Sequence, residues 1–260
     1  MENILLNDLN VNIFKPKLIK GCIIFTHGIA EYSKSYQEIA NFFKDNNYLV
    51  ITYDLRGHGK TSGKRGYVKD YHLLIDDLKM LVTVAKKYNE NTFLIGHSLG
   101  GLITNLYASI YNDIKGVVIS SSPTTYLTEL RFLRFFPKFL INFIKIKTWF
   151  EDPKLVHDNT YLVDEFDLNY FYLKYVTETM FKGMKELIKN TPKYQTPILM
   201  FYSKKDQLSK VSYGSDFHNK ISSIDKELVI LEESYHNIFN DLEKETIFRK
   251  ILSWLDKRII

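Results

Sequence analysis

Gly96-His97-Ser98-Leu99-Gly100 fits the pattern G-x-S-x-G, which sets a serine hydroxyl between two residues without side chains. The strand-like run Thr92-Phe93-Leu94-Ile95 precedes it and a helical pattern follows, which is the context a nucleophile turn requires. Serine is a weak nucleophile at neutral pH. A histidine must take its proton, and an acid must hold that histidine in one tautomer. Asp206 follows the apolar run Ile198-Leu199-Met200-Phe201-Tyr202, and His236 follows Glu227-Leu228-Val229-Ile230-Leu231. Both stand where strand ends would present them. The chemistry these three residues could do is acyl transfer to water, with Ser98 as nucleophile, His236 as general base and Asp206 orienting the base. The other histidines fit less well: His27, His58, His72 and His97 precede the serine, His157 falls in a segment read below as a cap, and His218 is expected in a surface helix.

Elements that could position such residues follow from the hydrophobic periodicity. Alternating runs at Asn3 to Asn7 and Leu9 to Phe14 predict an opening antiparallel hairpin. Apolar β-rich runs at Gly21 to Thr26, Tyr48 to Tyr53, Thr92 to Gly96, Val117 to Ser120, Ile198 to Tyr202 and Leu228 to Leu231 then alternate with helix-period segments. The helices are expected over Tyr36 to Asp45, Tyr71 to Tyr88, Leu99 to Tyr111, Ser209 to Lys220 and Ile238 to Lys257. This alternation predicts an α/β fold, a mostly parallel, doubly wound sheet with helices on both faces. Between Pro123 and Pro197 the alternation stops and aromatic-rich helical segments take over. The expected organisation is a core over residues 1–122 and 197–260, with a helical cap inserted at 123–196.

A tetrahedral intermediate needs two N–H donors for its oxyanion. One is Leu99, the residue after the nucleophile, and the other is Ile29 in the loop His27-Gly28-Ile29-Ala30. Gly28, Gly96 and Gly100 permit close backbone approach around the serine turn, and His97, Asp54, Arg56 and His58 are candidates to brace it by hydrogen bonds.

Taken together these segments resemble the monoacylglycerol lipase and lysophospholipase group of α/β-hydrolases. His27-Gly28-Ile29-Ala30-Glu31-Tyr32-Ser33 with Tyr36 is similar to that group's HGxxEHSxxY segment, with Tyr32 where histidine is common. Tyr53-Asp54-Leu55-Arg56-Gly57-His58-Gly59-Lys60-Thr61 is similar to YDxRGHGxS, and Asp152-Pro153-Lys154-Leu155-Val156-His157-Asp158 to a D-P-L-V-H cap segment with an extra lysine. Ser203-Lys204-Lys205-Asp206 and Tyr235-His236-Asn237 match the acid and histidine loops, although Asn237 stands where glutamate is frequent. The resemblance implies the α/β-hydrolase fold, a triad of Ser98, Asp206 and His236, oxyanion donors Ile29 and Leu99, no cofactor or metal, and an ester of a long-chain acid with glycerol or a lysolipid head as substrate.

The composition of the inserted segment agrees with a lipid substrate. Leu130 to Lys147 is dense in apolar residues, among them Phe132, Phe135, Phe136, Phe139 and Phe143, and carries Arg131, Arg134, Lys138, Lys145 and Lys147 with no acid before Glu151. Those phenylalanines and His157 are the candidate cap contacts with substrate, since an apolar cleft gains about 0.8 kcal/mol per buried CH2. The cationic rim suits peripheral contact with an anionic bilayer. Thioesters and other small esters remain open on the same triad, and an idle lipid-binding module is the alternative outside enzymes.

The whole chain of 260 residues suits one large domain with an insertion. Its net charge of +5 is spread over lysines, which argues for a solvated surface and against a nucleic-acid partner. Cys22 is the sole cysteine, so no intramolecular disulfide can form, and the cytoplasm is the expected setting. No leader-like start and no run of roughly 18 apolar residues is present, so any membrane contact is expected to be peripheral.

Overall fold

Strands with both faces buried read as continuous apolar runs, and five such runs form the centre of the computed structural model, which describes residues 1–126, 137, 140–147, 155–157 and 170–259. The hairpin β1 (Glu2–Leu6) and β2 (Leu9–Phe14) leads into β3 (Gly21–Thr26), β4 (Tyr48–Tyr53), β5 (Thr92–His97), β6 (Gly116–Ser120), β9 (Ile198–Ser203) and β10 (Lys226–Leu231). The eight-stranded order is β1-β2-β4-β3-β5-β6-β9-β10. The first two strands pair antiparallel and β2 joins β4 antiparallel, while every later pairing is parallel.

Alternation along the strands sorts the core into two layers. Cys22, Ile24, Leu49, Ile51 and Leu94 pack with α2 (His72–Lys86), α3 (Leu99–Tyr111) and α6 (Val211–Lys220). Ile23, Phe25, Val50, Phe93 and Ile95 pack with α1 (Gln37–Asp45) and α7 (Lys244–Asp256) on the other face. The fold is therefore the doubly wound α/β-hydrolase sheet with an antiparallel start. Strand order reverses about β3: the chain moves outward to β4, then crosses back to place β5 on the opposite side. Ligands of open α/β sheets bind in the crevice outside the carboxyl ends of strands at such a reversal. The loops after β3 and β5 meet there.

The segment after β6 differs from the helical expectation. Lys145–Lys147 (β7) pairs antiparallel with Tyr170–Tyr172 (β8) in a separate two-stranded ribbon. Its alternation puts Ile146 and Phe171 inward and Lys145, Lys147, Tyr170 and Tyr172 outward, but three residues are too few to show a period of two. Helical structure resumes with α4 (Leu173–Val176), a π-helical stretch at Thr177–Gly183 and α5 (Met184–Asn190). The C-terminal helix is also shorter than expected. A 3₁₀ turn at Ile238–Asn240 is separated from α7 by residues 241–243, where the Asp241 carboxylate accepts the N–H groups of Leu242 at 2.9 Å and Tyr235 at 2.6 Å. Those bonds satisfy loop donors in place of a continuing helix. No described helix is long and apolar enough to cross a membrane.

Candidate active site

Ser98 lies between β5 and α3 with φ 49° and ψ −117°, a backbone geometry that side chains rarely adopt. Its N–H donates to the Ser120 carbonyl at 2.9 Å, tying the turn to β6. The turn is tight because glycine allows it: a Cβ on Gly100 would lie 2.0 Å from the Thr26 carbonyl oxygen at the end of β3. Gly96 is buried just before the turn. Gly28, opposite, brings its own loop so near that a Cβ would lie 3.2 Å from the Ser98 Cβ.

The three residues that chemistry singled out in the sequence are brought together here. His236 Nε2 is 3.0 Å from Ser98 Oγ, and His236 Nδ1 is 2.9 Å from Asp206 Oδ2. Asp206 stands after β9, where its Oδ1 accepts the N–H groups of Leu208 at 2.8 Å and Ser209 at 2.9 Å. Burial alone would raise its pKa, but the His236 ring and those amides outweigh burial and hold the carboxyl below the usual range. For His236 burial opposes the charged ring, yet the carboxylate of Asp206, with a smaller contribution from Glu31, holds its pKa above the ordinary value. With Nδ1–H donating to Asp206, Nε2 is free to accept the Ser98 hydroxyl proton.

The loop after β3 is built around histidines of fixed tautomer. His27 Nδ1–H donates to the Gly28 carbonyl at 2.7 Å, while its Nε2 accepts the Leu55 N–H at 3.0 Å. The C=O and N–H of a trans peptide point opposite ways, so holding the Gly28 carbonyl against His27 turns the Ile29 N–H away from that ring. No protein acceptor is present for the Ile29 N–H among the described residues. Leu99, first in α3, has no intrahelical acceptor either. Ala30 takes φ 64°, and its N–H donates to His58 Nε2 at 3.1 Å. Burial pushes the pKa of both His27 and His58 down, which keeps these rings neutral and their Nε2 atoms accepting.

Asp54, Arg56 and His58 were expected to brace the serine turn, and their contacts go elsewhere. Asp54 accepts the Ser33 N–H at 2.7 Å, the Lys60 N–H at 2.8 Å and the Asn10 amide at 2.8 Å. Arg56 forms a two-pronged pair with Asp77 of α2, both bonds 2.7 Å. Asp54 and His58 thus hold the loop after β3, while Arg56 ties the loop after β4 to α2. His97 does stand at the turn: its Nδ1 lies 2.8 Å from Ser120 Oγ, and its ring centroid is 5.0 Å from that of His236.

Of the expected substrate contacts, Phe132, Phe135, Phe136 and Phe139 lie outside the described residues. Phe143 is 75% exposed. His157 is engaged with the histidine loop: its Nδ1 is 2.8 Å from Asp241 Oδ1 and its ring stacks on Tyr235 at 4.0 Å. It braces that loop from the segment between β6 and β9.

Sequence reasoning passed over Glu31, although it stands three residues after Gly28, the spacing of a turn acceptor. Glu31 Oε2 accepts the Gly28 N–H at 2.7 Å and the Tyr36 hydroxyl, and Oε1 accepts the Asn237 amide at 2.6 Å.

Comparison with known proteins bears on the family and the fold. An uncharacterized abhydrolase domain-containing protein of Dictyostelium discoideum is 24% identical over 100% of this chain, which spans only 29% of that protein. A protein of Mycolicibacterium smegmatis named monoacylglycerol lipase is 23% identical over 91% of this chain and 88% of its own. In three dimensions, a soluble variant of monoglyceride lipase from Saccharomyces cerevisiae, in complex with a substrate analog, superposes with a TM-score of 0.85 at 21% identity, covering 100% of this chain and 95% of that one, and so shares its fold. The model of the Hydrolase_4 family, described as serine aminopeptidase, S33, matches residues 17–243. The chain belongs to that family of α/β-hydrolases.

Proposed function

We propose that this protein is a carboxylic ester hydrolase acting on single-chain lipids, a monoacylglycerol or lysophospholipid, through an acyl-enzyme on Ser98. The observation that carries the reading is the continuous chain of hydrogen bonds Ser98 Oγ, His236 and Asp206 at the carboxyl ends of the strands. In this mechanism Ser98 Oγ attacks the ester carbonyl carbon as its proton passes to His236 Nε2. The carbonyl oxygen becomes an oxyanion held by the Ile29 and Leu99 N–H groups. His236 then gives its proton to the leaving alcohol oxygen as the C–O bond breaks. Water repeats the sequence on the acyl-enzyme, giving the free acid and restoring Ser98. The Asp206 carboxylate stabilises the imidazolium in both halves.

The choice of a lipid rests on the monoacylglycerol lipase name of the M. smegmatis relative and on the apolar, cationic composition of residues 130–147, which we read as part of a cap over the site. The ribbon adds a surface for anionic bilayers. Lys145 Nζ sits 3.8 Å over the Tyr170 ring and Lys64 Nζ 3.8 Å over Tyr172, a lysine and tyrosine mixture suited to the headgroup layer.

The test is a panel of monoacylglycerols, lysophospholipids and acyl thioesters compared by kcat/KM, with Ser98→Ala as blank. Lipid esters are expected to lead, and Ser98→Ala to lose turnover and labelling by a fluorophosphonate. Ordinary ester turnover in Ser98→Ala would sink the mechanism, and a lead by thioesters would move the substrate class.

A further inference from the structure

Two of the loops that carry the catalytic machinery proposed above lie far apart in sequence. The loop after β3 offers the Ile29 N–H, and the loop after β10 carries His236. Hydrogen bonds to one buried carboxylate join them. Glu31 is 8% exposed, and Asn237, next to His236, is 1% exposed. The carboxylate receives the Gly28 N–H at 2.7 Å from the first loop and the Asn237 amide at 2.6 Å from the second, while Tyr36 donates its hydroxyl from the turn before α1. The Asn237 amide also lies 3.1 Å from the Tyr36 hydroxyl, closing a ring of three side chains.

We propose that Glu31 is a positioning residue which, by accepting from the Gly28 N–H and the Asn237 amide together, fixes the oxyanion-donating loop relative to the loop of the general base. The proposal rests on the acyl-transfer reading of this site.

The chemistry of the partners requires an acceptor at this point. A backbone N–H can only donate, and the Asn237 amide nitrogen can only donate. Turning the Asn237 amide over is opposed, because its Oδ1 accepts from Asn240 at 3.2 Å. A carboxylate is the side chain whose two oxygens both accept, and bonds from N–H donors to an ionised carboxylate are about twice as strong as neutral ones. The position also has an electrostatic consequence. The titratable groups that face Glu31 are Tyr36, His97 and His236. His97 Nε2 is 3.9 Å from Glu31 Oε1, and burial keeps that ring neutral. Burial raises the pKa of Glu31, and the Tyr36, Gly28 and Asn237 donors, with the charge on His236, oppose the rise. When His236 takes the Ser98 proton, the carboxylate form of Glu31 adds to Asp206 in stabilising the new imidazolium.

Glu31→Gln is nearly isosteric but sets an NH2 donor against the NH2 of Asn237. The double variant Glu31→Gln/Asn237→Asp exchanges donor and acceptor and restores the bridge with its charge on the other loop. Steady-state kinetics on one ester, across pH, would be run for wild type, Glu31→Gln, the double variant and Ser98→Ala. Glu31→Gln is expected to lower kcat by about 10- to 100-fold with KM within about 2-fold, the pattern of an interaction made in the transition state. The acid limb of its kcat profile should move to lower pH, because His236 loses a neighbouring negative charge. The double variant should regain most of kcat and return the limb towards higher pH. A Glu31→Gln enzyme with wild-type kcat and an unmoved limb would overturn the proposal, as would a double variant no better than the single one. Should Glu31→Gln fail to fold by thermal unfolding, Asn237→Ala cuts the same bridge from the other loop. A loss confined to kcat supports the role, and unchanged kinetics count against it. Turnover surviving in Ser98→Ala would count against the acyl-transfer reading itself, whereas an inert Ser98→Ala beside an unaffected Glu31→Gln would remove the positioning role alone.

Discussion

The Phe171 ring lies against the His58 imidazole with centroids 4.9 Å apart, a buried contact that joins the β7–β8 ribbon to the loop after β4. His58 Nδ1–H donates to the Arg56 carbonyl at 3.1 Å, and its Nε2 receives the Ala30 N–H at 3.1 Å. Ala30, at φ 64°, depends on that bond to hold a conformation alanine rarely adopts. The ribbon is also tied on by backbone, since the Tyr172 N–H donates to the Gly66 carbonyl at 2.9 Å. Packing of the ribbon and geometry around Ser98 are therefore linked by a short path.

Phe171→Ala tests that link. Phe171 is 2% exposed, and emptying such a site costs about 3–5 kcal/mol. Urea unfolding should show that loss, and the released His58 should lower kcat more than it raises KM. A variant within about 1 kcal/mol of wild type would mean that the ribbon is not packed on His58 in this way.

The pH dependence of activity follows from the raised pKa of His236. The ring must be neutral to accept the Ser98 proton, so kcat/KM should rise with pH through a midpoint above 6.5, the ordinary histidine value. Asp206→Asn should drop that midpoint and reduce kcat on the order of 10³- to 10⁴-fold, because the ring loses both its counter-charge and its fixed tautomer. Both shifts contribute stability, with opposite pH dependences. The raised His236 pKa contributes stability below its unfolded value, lost as pH rises through the folded one. The depressed Asp206 pKa contributes stability above its unfolded value, lost as pH falls through the folded one. The pair thus stabilises most between the two, and urea titrations at several pH values should find its coupling there. An acid limb that stays put in Asp206→Asn would contradict the assignment.

Membrane contact by the ribbon is testable through charge. Lys145 and Lys147 are exposed and flank the inward Ile146. Each lysine near an anionic surface contributes about 1 kcal/mol, so reversing both as Lys145→Glu/Lys147→Glu should release the protein from phosphatidylserine vesicles in co-sedimentation. Binding by the wild type should weaken as salt rises. Equal binding of wild type and variant would exclude the ribbon as the contact.

Much of the core was legible before any coordinates because its signals are local. β3, β4 and β5 are runs buried on both faces, which sequence displays as unbroken apolar stretches, and Gly96-His97-Ser98-Leu99-Gly100 carries its own turn chemistry. Asp206 and His236 were legible as residues following strands. The ribbon was not, because Lys145–Lys147 finds its partner only at Tyr170–Tyr172. The break before α7 was hidden as well, since it depends on the Asp241 side chain capturing the Tyr235 and Leu242 amides.

By itself the sequence determined which residues have the chemistry for acyl transfer, the alternating elements that carry them and their family-like order along the chain. Tertiary structure alone decided how they meet. The reversal of strand order at β3 sets the loops after β3 and β5 together, and the pairing of β9 with β10 brings Asp206 beside His236. It also decided what Asp54, Arg56 and His58 support, and that Glu31 and Asn237 face each other across 206 residues of chain. The physical reason is that a motif fixes local backbone and side-chain chemistry, whereas a hydrogen bond between distant loops exists only once the sheet has set the distance and direction between them.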